Sequence, residues 1–156
     1  MSDEYFMQKA IELAQKGMAE GAGGPFGAIV VKDGQIIGSG YNSVTSTNDP
    51  TAHAEVLAIR AACQYLGSFQ LTDCTLYTSC EPCPMCMGAI YWARPARVFY
   101  ACSRQDAAAI GFDDEHIYEE LDKAMPLRQL PISQLMRKEA LPVFELWQQK
   151  KDRVDY

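Results

Sequence analysis

No stretch of this 156-residue sequence approaches the roughly 18 consecutive apolar residues that a membrane-spanning helix needs, so a helical membrane protein is excluded. Basic residues are scarce: 14 Lys and Arg stand against 20 Asp and Glu, for a net charge of −6. A nucleic-acid partner is therefore not expected, because sequence-independent affinity for phosphates comes mainly from Lys and Arg. Only residues 128–156 tilt the other way, with 6 basic and 4 acidic side chains against 8 and 16 in residues 1–127, the balance of a solvated helix face. The opening MSDEYFMQKA carries acids where a secretion signal has a basic and then an apolar stretch. Repeats, linkers and low-complexity segments are missing too. These absences predict one cytoplasmic domain, 1–156, with a single core and no membrane association. Without an export signal, the six cysteines are expected as reduced thiols or metal ligands rather than a disulfide framework.

What is present reads as an alternation of helices and strands. Ser2 is a candidate N-cap, with Phe6, Ala10, Leu13, Ala14 and Gly17 at helical spacing behind it. GAIVVK and QIIGSGYN flank Asp33-Gly34, a pair that tolerates the positive φ angles of a two-residue hairpin. Asp49-Pro50-Thr51 precedes AHAEVLAIRAACQYL, a helical run that Gly67 ends, which puts His53 and Glu55 in its first turn. CTLYTS, EPCPMCMGAIYWA and RVFYA follow as strand, helix and strand, the pattern of a parallel crossover. GFDDEHIYEELDKAM predicts a short helix, and two further helical stretches are expected after Pro131 and Pro142. The fold class predicted is α/β, a three-layer α/β/α sandwich on a mixed sheet of about five strands.

The chemistry is concentrated in two short segments. Cys83 and Cys86 lie three apart at a helix start, so both thiolates project from one face, where the helix dipole favours anions. His53 supplies a third ligand from another helix start, and His53-Ala54-Glu55 with Pro82-Cys83-Pro84-Met85-Cys86 matches the H-x-E…P-C-x-x-C signature of zinc deaminases. Three protein ligands for one Zn2+ leave a fourth position for water, and Glu55 beside it is the expected proton shuttle. The competing arrangement is a noncatalytic Cys3His zinc module with Cys80 as the fourth ligand; a closed knot has no use for Glu55, and Pro82 favours a turn that isolates Cys80. Cys63, Cys74 and Cys102 are expected as buried small hydrophobes, and His116 as a surface residue.

GGPFGA, YN followed by NDPTAHAE, LYTSCEPCPMC with GAIYWARP, GFDD with a following IY, and the terminal tyrosine together resemble the cytidine-deaminase-like superfamily. Within it they resemble the short bacterial guanine deaminases over essentially the whole chain. NDPTAHAE and the EPCxMC segment resemble tRNA adenosine deaminases as well, so adenosine in tRNA, or cytosine, is the alternative substrate.

The resemblance implies conversion of guanine to xanthine and ammonia by a homodimer, one zinc per subunit, whose C-terminal segment, about 131–156, is exchanged between subunits. It also implies substrate roles for single residues. Asn42 matches a purine contact, Phe26 a pocket aromatic, and Asp114, in preference to Asp113, an acceptor for guanine N–H groups. Tyr156 matches a terminal residue that closes the pocket. Trp92 is expected in the pocket, at the dimer interface or in the core. A main-chain N–H near Ala54 is expected to join Asn42 on the O6 and N7 side.

Overall fold

Ser2 opens the first helix, α1 (Asp3–Ala19), by accepting the Tyr5 N–H, and Asp3 and Glu4 occupy the first turn where the positive end of the helix favours acids. Its buried stripe is Phe6, Ala10, Ala14 and Gly17. Strands β1 (Gly27–Lys32) and β2 (Gln35–Tyr41) form the expected hairpin, with Asp33 at φ 49° and Gly34 at φ 75° in the turn. Helix α2 (Val44–Thr47) is a single turn that no periodicity signalled. Helix α3 (Ala54–Leu66) ends where Gly67 takes φ 61°, and β3 (Thr75–Cys80), α4 (Pro84–Ala93) and β4 (Arg97–Cys102) make the parallel crossover. These elements belong to a computed structural model that describes residues 1–156.

The sheet has the order β2-β1-β3-β4, with β1 antiparallel to both its neighbours and β3 parallel to β4. It is mixed, as expected, but has four strands rather than about five. After β4, Ser103 and Asp106 form a capping box that starts helix α5 (Arg104–Ala109) and diverts the chain from a fifth strand. This leaves β4 at the sheet edge, and Cys102 on it is exposed rather than buried as expected. Cys74 is in the core and Cys63 packs against it.

Strand alternation sorts the apolar side chains into two layers. Ile29, Val31 and Tyr77 meet Phe6 and Ala10 of α1 on one face. Ala28, Val30 and Leu76 meet Ala54, Ala58 and Ala62 of α3 and Ile90 and Ala93 of α4 on the other. Helix, sheet and helices thus form the expected three layers. Helix α3 sits unusually close to β2: a Cβ on Gly38 would stand 2.4 Å from the Ala58 carbonyl oxygen, and one on Gly40 2.7 Å from that of Ala54. Only glycine permits that approach, and it fixes the start of α3 against the sheet.

Backbone packing divides the chain into two units, Met1–Asp114 and Glu115–Tyr156. The second contains α6 (Glu115–Asp122), a 3-10 turn at Met125–Leu127 and α7 (Arg137–Gln149). Where two helical stretches were expected, α7 is one helix that runs through Pro142. Proline removes one intrahelical hydrogen bond, and here the helix bears that loss without ending. His116, on α6, is exposed as expected. No helix of either unit is long and apolar enough to cross a membrane.

Candidate active site

Two helix N-termini supply the side chains that could hold a metal ion. His53 is the N-cap of α3 and Cys83 the N-cap of α4, both in extended conformation and neither using its side chain to cap the helix. His53 thus stands one residue before the first turn where it was expected, because Asp49 closes a turn of its own by accepting the Thr51 N–H at 2.8 Å and hydroxyl at 2.7 Å. The free cap side chains converge instead on each other. His53 Nδ1 lies 3.5 Å from Cys83 Sγ and 3.5 Å from Cys86 Sγ, and the three donor atoms all fall within 4.8 Å of one another. A tetrahedral zinc with ordinary bonds to nitrogen and sulfur requires N···S separations of about 3.6 Å. The donor set therefore fits zinc in both chemistry and spacing.

The same convergence perturbs the ionisation of these groups. A hydrogen bond from Cys86 and the neighbouring His53 pull the Cys83 thiol down to about 4 against the effect of burial, while Cys86, as the partner holding the proton, is raised. His53 is raised by its hydrogen bond with Cys83. Cys80 takes no part. Its thiol donates to the Ser103 carbonyl at 3.6 Å, outside the donor group, and burial pushes it up to about 11. The four-ligand knot left open by the sequence is therefore not assembled: the group gathered for a metal is His53, Cys83 and Cys86.

Glu55 lies in the first turn of α3, 6% exposed, with Oε2 3.4 Å from Cys86 Sγ and Oε1 accepting the Thr78 hydroxyl at 2.9 Å. Burial raises its carboxyl, and a backbone N–H, Thr78 and Cys86 oppose that rise. Thr78 escaped the sequence reading because a threonine in a strand carries no signal; only the pleat shows that it faces α3.

Beside this group the structure brings several of the expected substrate residues. Asn42 is 6% exposed, and its Oδ1 accepts the N–H groups of Gly24 and Val44 at 3.3 and 3.2 Å. Its backbone is tied to the Phe26 carbonyl, and the following residue, Ser43, to the Ala52 carbonyl just before His53. Phe26 meets Phe112 edge to face at 4.9 Å, a partner whose only sequence signal was its place in GFDD. Ala54 is the first residue of α3, so its N–H is among the donors that lack an intrahelical acceptor. Asp114 is half-buried, which raises its carboxyl, and it feels the charge of Cys83; Asp113 is exposed. Trp92 is not in the core: it stands 63% exposed on α4. Tyr156, 69% exposed, follows α7 in the second unit.

Residues 1–102 match the model of the cytidine and deoxycytidylate deaminase zinc-binding region. The chain belongs to this deaminase family. Among its relatives is the guanine deaminase of Bacillus subtilis, 56% identical over 156 residues and covered from end to end in both chains. The X-ray structure of the Bacillus subtilis guanine deaminase superposes with a TM-score of 0.98, covering 100% of this chain and 99% of that one. A guanine deaminase from Nitrosomonas europaea superposes less fully, with a TM-score of 0.69 at 36% identity over 72% of this chain and 65% of that one. Deaminases specific for tRNA adenosine match a shorter span; that of Streptococcus pyogenes serotype M18 is 45% identical over 101 residues, 65% of this chain and 63% of its own. The likeness of this deaminase-family chain to the tRNA adenosine deaminase covers 65% of it, while the full-length likeness runs to a guanine deaminase.

Proposed function

We propose that this chain hydrolyses guanine to xanthine and ammonia, consuming one water, with His53, Cys83 and Cys86 holding one zinc ion per subunit and Glu55 moving the protons. The observation that carries this reading is the open three-donor set with a buried carboxylate against it, Glu55 Oε2 standing 3.4 Å from Cys86 Sγ. A zinc ion with three protein ligands keeps a fourth position for water and lowers the pKa of that water to about 7. Glu55 takes the proton that water loses as its oxygen bonds to guanine C2, and passes it to the ring nitrogen beside that carbon. It then takes the proton of the new C2 hydroxyl and delivers it to the amine, so that the C2–N bond breaks as the C2 carbonyl forms and ammonia leaves.

The substrate reading rests on the full-length likeness to a guanine deaminase and on the polarity of the neighbouring groups. Because backbone N–H groups occupy Asn42 Oδ1, the amide has only its N–H hydrogens to offer, and these suit the O6 and N7 acceptors of guanine. The Ala54 N–H adds a donor to the same side. Asp114 accepts from the N–H edge, and Phe26, braced by Phe112, forms an aromatic wall. Adenine, with an amine in place of O6, leaves donors unpaired at about 1–3 kcal/mol for each unmade bond.

The C-terminal segment, residues 131–156, is proposed to cross between the subunits of a homodimer and to close the partner's site with Tyr156. In the single chain no residue of α7 is buried and Val143, Phe144 and Leu146 are exposed, as a segment made for a partner would be; the exposed Trp92 suits the same interface. Six free cysteines suit the reducing cytoplasm. Incubation of the purified protein with guanine, adenine, cytosine and tRNA should release ammonia from guanine. Guanine left intact while another substrate loses its amine would overturn the assignment, and a chain lacking Val154 to Tyr156 with undiminished turnover would overturn the lid.

A further inference from the structure

We infer that Thr78 is a positioning residue for the Glu55 carboxylate, fixing which of its two oxygens faces the reacting atoms; this rests on the proposed role of Glu55 as proton carrier. Thr78 is 1% exposed in the middle of β3, paired across the sheet with Ala28, so its side chain shares the face covered by α3. Its hydroxyl has one hydrogen and two acceptors in reach, Glu55 Oε1 at 2.9 Å and the Cys80 carbonyl at 3.1 Å. The carboxylate is the stronger acceptor and takes it. With Oε1 held from the sheet, Oε2 is the oxygen left on the side of Cys86, 3.4 Å from its sulfur, and thus on the side of the metal-ligating group.

The anchor is stiff for two reasons. Threonine is branched at Cβ, which restricts its χ1, and β3 lies inside the sheet between β1 and β4, so the direction of the hydroxyl is set by the strand. Glutamate by contrast has three side-chain torsions, and a proton carrier that samples several of them spends little time aligned. No other side-chain hydroxyl bonds Glu55.

The test compares Thr78→Val, which keeps the shape and loses the donor, with Thr78→Ser, which keeps the donor. The expected result for valine is a kcat lowered by about tenfold or more with KM and zinc content unchanged, restored largely by serine. In a Glu55→Gln background, valine should lower kcat no further. An unchanged kcat in the valine variant, equal losses in valine and serine, or parallel losses of kcat, KM and zinc would overturn the inference. Should the wild-type protein release no ammonia from guanine, the proposed function fails separately. A double-mutant cycle in thermal stability between Thr78→Val and Glu55→Ala, which removes the acceptor, then decides: coupling sustains the contact, and simple additivity overturns it.

Discussion

Gly23 packs so tightly against Asn42 that a Cβ added to it would stand 2.2 Å from Asn42 Oδ1 and 2.6 Å from the Asn42 carbonyl oxygen. The loop before β1 therefore holds the Asn42 amide from behind, while Gly24 and Val44 hold its oxygen from the side. Gly23→Ala must displace that amide. The expected outcome is a KM for guanine raised about tenfold, equivalent to about 1.4 kcal/mol, with zinc content unchanged. Steady-state kinetics beside a zinc assay read both quantities, and an unaltered KM would count against Asn42 as a purine contact.

Cysteines three residues apart should behave oppositely toward metal. Cys80 is a buried thiol that bonds the Ser103 carbonyl and stands outside the donor group, whereas Cys83 lies within it beside Cys86 and His53. Cys80→Ser should therefore retain one zinc per chain with activity within a few-fold of wild type. Cys83→Ser, like treatment with a strong chelator, should lose both metal and turnover. Zinc lost from the Cys80 variant would restore the closed four-ligand site.

Alkaline stability should depend on Tyr77. Its hydroxyl donates to Asp3 in the first turn of α1, and burial, then that bond, push the phenol from 10.0 up to about 12. A pKa raised on folding favours the protonated native state. The stabilisation is complete below about pH 10, declines as the unfolded chain ionises first, and is gone once the pH passes about 12. In urea titrations the stability gap between wild type and Tyr77→Phe should be near 1 kcal/mol at about pH 8 and shrink above about pH 10. A gap that stays constant to about pH 11 would show that folding does not raise the Tyr77 phenol.

Much of this molecule was legible in its residues because the relevant signals are local. Ser2, the Asp33-Gly34 turn and Gly67 act through backbone geometry within a few residues, and the structure places caps and turns there. His53, Cys83 and Cys86 could be paired as ligands because each motif is a few residues long and sits at a helix start. The misreadings involve competition between distant or non-additive effects. Pro142 reads as a stop, yet α7 continues through it, and Cys102 reads as buried until β4 is seen to be the sheet edge.

By itself, the sequence determined which residues are the candidates for the metal chemistry: an imidazole, two thiols and a carboxylate at motif spacing. The tertiary structure decided how those groups are aimed. The pleat of β3 turns Thr78 toward Glu55, Cys80 bonds the Ser103 carbonyl, and the packing of α3 and α4 on one face brings His53 within 3.5 Å of sulfurs 30 and more residues away. Those directions follow from strand order and helix packing across the whole first unit, which short-range residue patterns do not encode.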